Sequence, residues 1–281
     1  MELRTDQARQ RYDDLVTRAD EVVVGLDFDG TLSPIVEDPE SAVIHPDAPR
    51  VLGDLAARVR AVVVITGRPA RQVVRLGHLE HVADQLPAGA ELTVMGQYGH
   101  ERWDSRSREF TSPEPPAGLE ALREELPGLL AEADARDAHV EEKGLSIAVH
   151  TRRLPDASDA FGRLRDVLAA AAERHDLLLE PGRLVLELRA PGMHKGLAVR
   201  AAVQEHDAGG VLFVGDDLGD LEAFEAARDL ADHGLPTLLV CSGSEEQEAL
   251  VEISDIVVPG PDGVMELLAS YAADAGERAG S

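Results

Sequence analysis

Val22-Val23-Val24-Gly25-Leu26-Asp27-Phe28-Asp29-Gly30-Thr31-Leu32 decides the fold of this chain. The apolar run Val22–Leu26 has the length of a strand and the composition of one buried on both faces. Two carboxylates, Asp27 and Asp29, follow at its end, with Gly30 and Thr31 behind them. Side chains alternate along a strand, but a turn at Gly30 lets both carboxyls converge on one centre. Such a pair suits phosphoryl transfer, in which one aspartate attacks phosphorus and the other moves a proton. A carboxylate attacks an anionic phosphate poorly unless a cation neutralises charge, so the pair implies a Mg²⁺ site. An acidic turn without chemistry would share Asp27 and Asp29. The strand before them and Gly-Thr-Leu after them favour catalysis.

Composition bounds the rest. The 281 residues suit one large domain or two modest ones, and 44% hydrophobic with 28% charged residues is globular usage. A formal net charge of −26 argues against nucleic acid or an anionic membrane as partner. An anionic substrate must then be drawn in by a local basic pocket. The single cysteine, Cys241, excludes an internal disulfide and is compatible with a reducing cytosol. The N-terminus is polar, and no run approaches the roughly 20 apolar residues that span a bilayer. A cytoplasmic protein, expected as a monomer, follows. Of 27 basic residues only Lys143 and Lys195 are lysines. Two lysines can survive by chance among arginines, but their settings point to sites that need a compact ammonium.

Apolar β-branched runs alternate with amphipathic stretches, which predicts an α/β fold with a doubly wound, Rossmann-like parallel sheet. The expected strands are Val22–Phe28, Ala61–Ile65, Leu92–Met95, Val211–Gly215, Thr237–Val240 and Asp255–Val258. Helices are expected at Pro49–Arg60, Arg71–Leu76, Lys195–His206, Leu221–Leu230, Glu245–Val251 and Asp262–Ala273. After the Pro-rich stretch Thr111–Pro116 the pattern changes to helix, two strands, helix, two strands. There the helices are Leu119–Ala135 and Asp156–Arg174, and the strand pairs are His139–Glu142 with Ser146–Thr151 and Leu177–Glu180 with Leu184–Arg189. Lys143-Gly144 and Pro181-Gly182-Arg183 are read as hairpin turns. The chain thus divides into a core, residues 1–111 and 190–281, and an inserted smaller α+β cap domain, residues 112–189. Ala275–Ser281 is expected as a frayed tail.

Three further stretches carry chemistry. Ile65-Thr66-Gly67-Arg68-Pro69 puts a hydroxyl and a helix start at a strand's carboxyl end, where they can meet a phosphate. Lys195 opens a helix, a position unfavourable to a cation unless function needs its charge there. Asp216, Asp217 and Asp220 crowd the end of another buried strand, repelling one another unless a hard cation is near. In the cap, Glu141, Lys143 and Glu187 suit a hydroxyl-rich ligand, although an exposed charged hairpin would look the same. Gly96–Arg102 is read either as a simple turn or as the rim of a pocket.

Taken in order, Asp27–Ile35, Ile65–Pro69, Gly96–Glu101, Glu141–Arg152, Glu187–Gly196 and Gly215–Phe224 resemble trehalose-6-phosphate phosphatases of the haloacid dehalogenase (HAD) superfamily. The resemblance runs from about Val22 to Val264. It implies Asp27 as nucleophile forming a phosphoaspartyl intermediate and Asp29 as acid and base. Thr66 and Lys195 would bind the phosphoryl group, beside Gly67 and Arg68. Mg²⁺ would be held by Asp27, the carbonyl of Asp29 and Asp216, with Asp217 and Asp220 in its water shell. Glu141, Lys143 and Glu187 would recognise the sugar of a small-molecule sugar phosphate. Two positions depart from the family pattern Gly-Asp-Asp-x-Thr-Asp-Glu: Gly219 stands for Thr and Leu221 for Glu. Tyr98 stands where the family often has His. Two other readings remain open: a phosphatase for another sugar or glycosyl-glycerate phosphate, and a catalytically weak sugar-phosphate-binding regulatory protein.

Overall fold

Successive side chains of the buried strands point to opposite faces, and that alternation sorts the core into two layers. The computed structural model describes residues 2–3, 5–36, 38–243 and 248–279. Two compact units divide the chain: Met1–Ser112 with His194–Ser281, and Pro113–Met193.

The first unit begins with β1 (Glu2–Leu3), α1 (Asp6–Thr17), β2 (Val22–Leu26), α2 (Ala48–Ala56), β3 (Ala61–Ile65) and α3 (Ala70–Leu76). It continues with α4 (Leu79–Asp84), β4 (Leu92–Gly96), β5 (Glu101–Asp104) and β6 (Phe110–Thr111). The second unit contains α5 (Ala117–Glu132), β7 (His139–Glu142), β8 (Ser146–His150), α6 (Ala157–Arg174), β9 (Leu178–Gly182) and β10 (Val185–Arg189). The chain then returns to the first unit with α7 (Lys195–Glu205), β11 (Gly210–Gly215), α8 (Leu221–Asp232), β12 (Thr237–Gly243), α9 (Glu248–Ile253), β13 (Ile256–Pro259) and α10 (Gly260–Ala279).

Among the described residues, the first unit's sheet has the order β1-β13-β12-β11-β2-β3-β4-β5-β6. The six strands from β13 to β4 run parallel; β1 pairs antiparallel with β13 at one edge, and at the other β5 pairs antiparallel with β4 and β6 antiparallel with β5. From β2 the chain winds outward through β3 and β4, then returns to β11 on the other side and winds through β12 and β13. Strand order reverses between β2 and β11, and it is beyond the carboxyl ends of strands at such a point that open α/β sheets bind ligands. Val22, Val24, Leu26, Val62 and Val64 pack with Leu15 of α1, Leu52 of α2 and Tyr271 of α10. Val23, Val63 and Ile65 face the other way, against Ala198 and Val199 of α7 and Phe224 of α8. The doubly wound sheet expected from the apolar runs is present.

The second unit is a four-stranded antiparallel sheet of order β7-β8-β10-β9. Ile147, Val149, Leu186 and Leu188 pack against Leu122 and Leu126 of α5 and Leu164 and Leu168 of α6. The opposite parity, Glu141, Ala148, Glu187 and Glu180, forms one row across the other face.

Several local expectations are corrected. Ala275–Ser281 is not a frayed tail as far as it is described: α10 is helical to Ala279, with Tyr271, Ala272 and Ala275 buried. The Tyr271 hydroxyl donates to the Leu15 carbonyl at 2.9 Å, and its ring meets Tyr12 edge to face. The partner helix α1 went unread because its sequence is mostly polar. It is capped by the Thr5 hydroxyl, 3.0 Å from the Ala8 amide, and buries only a narrow stripe of Ala8, Tyr12, Leu15 and Val16. The second hairpin turns at Arg183-Leu184, where Leu184 takes φ +58°, and Pro181-Gly182 stays in β9. Of the helix expected at Glu245–Val251, residues 245–247 lie outside the described residues and the rest falls in α9. Among the described residues, no helix is long and apolar enough to cross a membrane.

The C-terminal helix is therefore core, and Tyr271→Ala should cost roughly 3–5 kcal/mol in urea unfolding. A loss below about 1 kcal/mol would mean that α10 contributes nothing to the cooperative unit.

Candidate active site

The site begins where β2 runs out. Asp27 still donates its amide to the Val214 carbonyl at 2.9 Å, so it continues the ladder with β11 by one residue. The chain then turns tightly: Leu32 and Ser33 both donate amides to the Phe28 carbonyl, and Gly30 donates to Ser33 at 2.7 Å. Phe28 is fully buried and anchors the turn in the core. Gly30 adopts φ +69°, and a Cβ there would collide with the Asp216 carboxylate. The glycine thus lets the backbone of one strand end approach the acid of the next. Ser242, at the end of β12, donates its hydroxyl to the Gly30 carbonyl at 2.6 Å.

The end of β11 folds around one carboxylate. Asp220 accepts the amides of Asp216 at 2.9 Å and Asp217 at 3.3 Å through Oδ2. Its Oδ1 accepts the Lys195 ammonium at 2.7 Å, and the same Nζ lies 2.6 Å from Asp27 Oδ1. Lys195 is the first residue of α7 and is buried, as are Asp27, Asp216 and Asp220. Asp217 does not join them: its Oδ1 caps the following turn by accepting the Gly219 amide at 2.8 Å.

Carboxylate oxygens of Asp27, Asp216 and Asp220 lie within 4.8 Å of one another. Burial raises the pKa of Asp27; Lys195 opposes this, while Asp220 and Asp216 add to it. Burial, then Asp217 and Asp220, push Asp216 up to about 8. Burial also works against the charge on Lys195, but Asp220 and Asp27 outweigh it and hold the ammonium protonated. Three buried carboxylates share one fixed cation, so the cluster is short of positive charge. Its free donors are all oxygen, the preference of a hard divalent ion. The cradle between the Gly30 backbone and the Asp216 carboxylate supplies such oxygens, so the residues present fit Mg²⁺.

Thr66 directly follows β3, buried, and its hydroxyl oxygen accepts the Arg68 amide at 3.2 Å. Arg68 grips Asp29 in a two-point pair, Nε to Oδ2 at 2.6 Å and Nη2 to Oδ1 at 2.7 Å. Its Nη1 donates to the Pro39 carbonyl at 2.9 Å. The expected acid–base group is thereby tied to the loop after β3. In the second unit, Lys143 Nζ lies 2.9 Å from Glu187 Oε2, and Glu141 Oε2 lies 2.9 Å from His150 Nε2.

The structure therefore brings together Asp27, Asp216, Asp220 and Lys195, and separately joins Asp29 with Arg68. Sequence reading gave Asp220 only a water-shell role and missed its hold on Lys195 and two amides. It missed Ser242 as well, though a polar residue just past the apolar run Thr237–Val240 was a signal. Glu101 was also unassigned: its Oε2 accepts the Ala70 amide at the start of α3 at 2.7 Å.

A family model described as trehalose-phosphatase matches residues 25–255. The probable trehalose-phosphate phosphatase of Sinorhizobium fredii (strain NBRC 101917 / NGR234) is 30% identical over 219 residues, 77% of this chain and 77% of that protein. The trehalose-phosphate phosphatase of Mycobacterium tuberculosis (strain ATCC 25618 / H37Rv) is 30% identical over 239 residues, 83% of this chain but 57% of that longer protein. The chain thus spans little more than half the length of the mycobacterial relative. Among solved structures, the C-terminal domain of the C. albicans trehalose-6-phosphate phosphatase matches with a TM-score of 0.74. That match has 19% identity and covers 95% of this chain and 96% of that one, a likeness of fold.

A carboxyl whose pKa rises on folding stabilises the fold while protonated. That stability is complete below its unfolded pKa near about 4 and is lost as pH climbs through the folded value. For Asp216 the window runs from about 4 to about 8. In chelator, the melting advantage of Asp216→Asn over the wild type should therefore be larger at pH 8 than at pH 5. Equal melting differences at the two pH values would contradict the buried, charge-poor cluster.

Proposed function

The chain belongs to the trehalose-phosphatase family and is a phosphoric monoester hydrolase; on that premise we propose that it releases phosphate from trehalose 6-phosphate. The observation that carries this reading is the buried ion cluster, in which Lys195 holds Asp27 and Asp220 beside Asp216. We further propose that it acts in the cytoplasm, as a monomer.

Asp27 is the nucleophile. Its carboxylate oxygen bonds to phosphorus as the bond from phosphorus to the sugar oxygen breaks, and Asp29 gives that oxygen a proton. A water then attacks the phosphoaspartyl group, Asp29 takes the water's proton, and Asp27 is regenerated with inorganic phosphate. Lys195 and the Thr66 hydroxyl meet the phosphoryl oxygens, Lys195 as a point charge already aimed at the Asp27 carboxylate. Gly67 contributes backbone beside them, and Arg68 holds the Asp29 carboxyl in one orientation. Asp27, Asp216 and the Asp29 carbonyl would hold Mg²⁺, which when bound neutralises phosphate charge and so makes an anionic nucleophile effective. Asp220 is otherwise engaged, and Asp217 caps its turn, so neither is assigned as a direct ligand. In the smaller unit, Glu141, Lys143 and Glu187 read the sugar hydroxyls. The support is that Glu141 and Glu187 share one row of the sheet and that Lys143 pairs with Glu187.

Gly219 and Leu221 depart from the family pattern without undoing the turn that carries them. The Gly219 amide still binds Asp217, and Asp220 still closes the reciprocal cap. That favours an active enzyme over a regulatory relative.

The test is phosphate release across a panel of sugar phosphates and glycosyl-glycerate phosphates, with and without Mg²⁺. Trehalose 6-phosphate should be the preferred substrate by kcat/KM and turnover should vanish in chelator. Preference for another panel member would overturn the substrate, and binding without any turnover would overturn the enzyme. Asp27→Asn should lose at least about 10³-fold in kcat while still unfolding cooperatively as a folded protein. Near-normal release by that variant would sink the covalent mechanism.

A further inference from the structure

The stretch Gly96-Gln97-Tyr98-Gly99 takes no part in the chemistry above, yet it is the most strained backbone near the site. Gln97 has φ +46° and Tyr98 has φ +58°, two adjacent left-handed residues that carry a Cβ. Such conformations are costly and persist only where their surroundings enforce them. The hydrogen bonds show what this conformation achieves. The Tyr98 amide donates to the Thr66 carbonyl at 2.9 Å. The Gln97 side-chain Nε2 donates to the Gly67 carbonyl at 2.7 Å. The Gln97 amide donates to the Arg68 carbonyl at 2.9 Å. Three successive carbonyls of the loop after β3 are thus gripped by two residues.

A trans peptide is planar, so each carbonyl fixes the next residue's N–H on the opposite side. With the Thr66 and Gly67 carbonyls turned toward Gln97 and Tyr98, the Gly67 and Arg68 amides must point away from them. That is the side of the Thr66 hydroxyl, as the Arg68 amide donating to Thr66 Oγ1 shows. The next residue, Pro69, has no N–H to orient. The Gly67 amide and the Thr66 hydroxyl, whose oxygen already accepts the Arg68 amide, thus lie on one side of the loop as donors for an anion.

The flanking glycines dock this bracket. A Cβ on Gly96 would collide with the Ala70 amide, and one on Gly99 would come within 2.9 Å of the Ala198 Cβ in α7. The Tyr98 ring lies over Gly67, where a Cβ would meet its hydroxyl at 2.8 Å. Glu101, two residues on, holds the first amide of α3. The bracket therefore touches both the Thr66 loop and the helix that begins with Lys195.

We propose that Gln97 and Tyr98 are positioning residues that set the peptide planes of Thr66-Gly67-Arg68 so that the loop presents its donors to the phosphoryl group. The proposal rests on the phosphatase reading and deepens it.

The test is orthophosphate binding to the full chain in magnesium buffer, followed by titration calorimetry and by the amide resonances of Gly67 and Arg68. Gln97→Met keeps the side-chain length and removes the donor. It should bind orthophosphate about tenfold more weakly, as for the loss of one orienting hydrogen bond, with kcat lowered in step. Gln97→Glu, which sets an acceptor against the Gly67 carbonyl, should bind more weakly again. A merely structural role would shift thermal unfolding and leave the folded protein's phosphate affinity alone. Affinity within twofold of wild type in Gln97→Met overturns the proposal. Should that variant not fold, the wild-type resonances decide: Gly67 and Arg68 amides that move on phosphate saturation support it, and unmoved amides overturn it. Orthophosphate binding needs no turnover, so a wild type that binds it but ignores trehalose 6-phosphate would overturn the substrate alone.

Discussion

One ammonium joins two strand ends: Lys195 Nζ lies 2.6 Å from Asp27 and 2.7 Å from Asp220, with all three side chains buried. Without it two buried carboxylates would face each other uncompensated, and removing one partner of such a group is far costlier than any surface pair. Lys195 sits at a helix start, where the macrodipole disfavours a cation, so the two acids must also offset that penalty. Asp220 spends its other oxygen on the amides of Asp216 and Asp217. The same interaction therefore shapes the turn after β11, orients the Asp27 carboxylate and fixes where α7 begins.

Sheet topology makes that convergence possible. The order of strands reverses between β2 and β11, so Asp27 and Asp216 end neighbouring parallel strands although 189 residues separate them in the chain. Parallel strands put their carboxyl ends at one edge, and the loops after β2, β3, β11 and β12 gather there. Glycine does the close fitting. Gly30 brings backbone against the Asp216 carboxylate, and Gly215 leaves room for the Asp220 carboxyl group. Charge then sets the chemistry: the cluster holds more buried negative charge than Lys195 can balance, which is the condition for a divalent cation.

Much of this was legible because buried parallel strands are continuous apolar runs. Ala61–Ile65 stands as expected, and the other core strands differ by one to three residues at their ends. The elements that escaped are those whose burial is one-sided. Helix α1 hides one narrow stripe, and β5 buries only Trp103 of its four residues. Among site residues, Asp27, Lys195 and Asp216 stood out because polar groups directly after apolar runs are conspicuous. Asp220 was seen, but its hold on Lys195 was not, since spacing alone cannot show a salt bridge between two strand-to-helix turns. Arg68 was grouped with phosphate ligands, and its two-point grip on Asp29 depends on a contact between loops 39 residues apart.

The sequence by itself determined the alternation of buried strands and amphipathic helices, the order of the acidic motifs and the choice of lysine at two positions. These are local properties: burial on both faces, period and charge are written residue by residue. Tertiary structure alone decided which carboxylates share Lys195, which acid pairs with Arg68, and that Gln97 and Tyr98 grip three carbonyls of the Thr66 loop. Each of those depends on distances between segments far apart in the chain, set by how the sheet is wound and by backbone dihedrals that no residue type dictates.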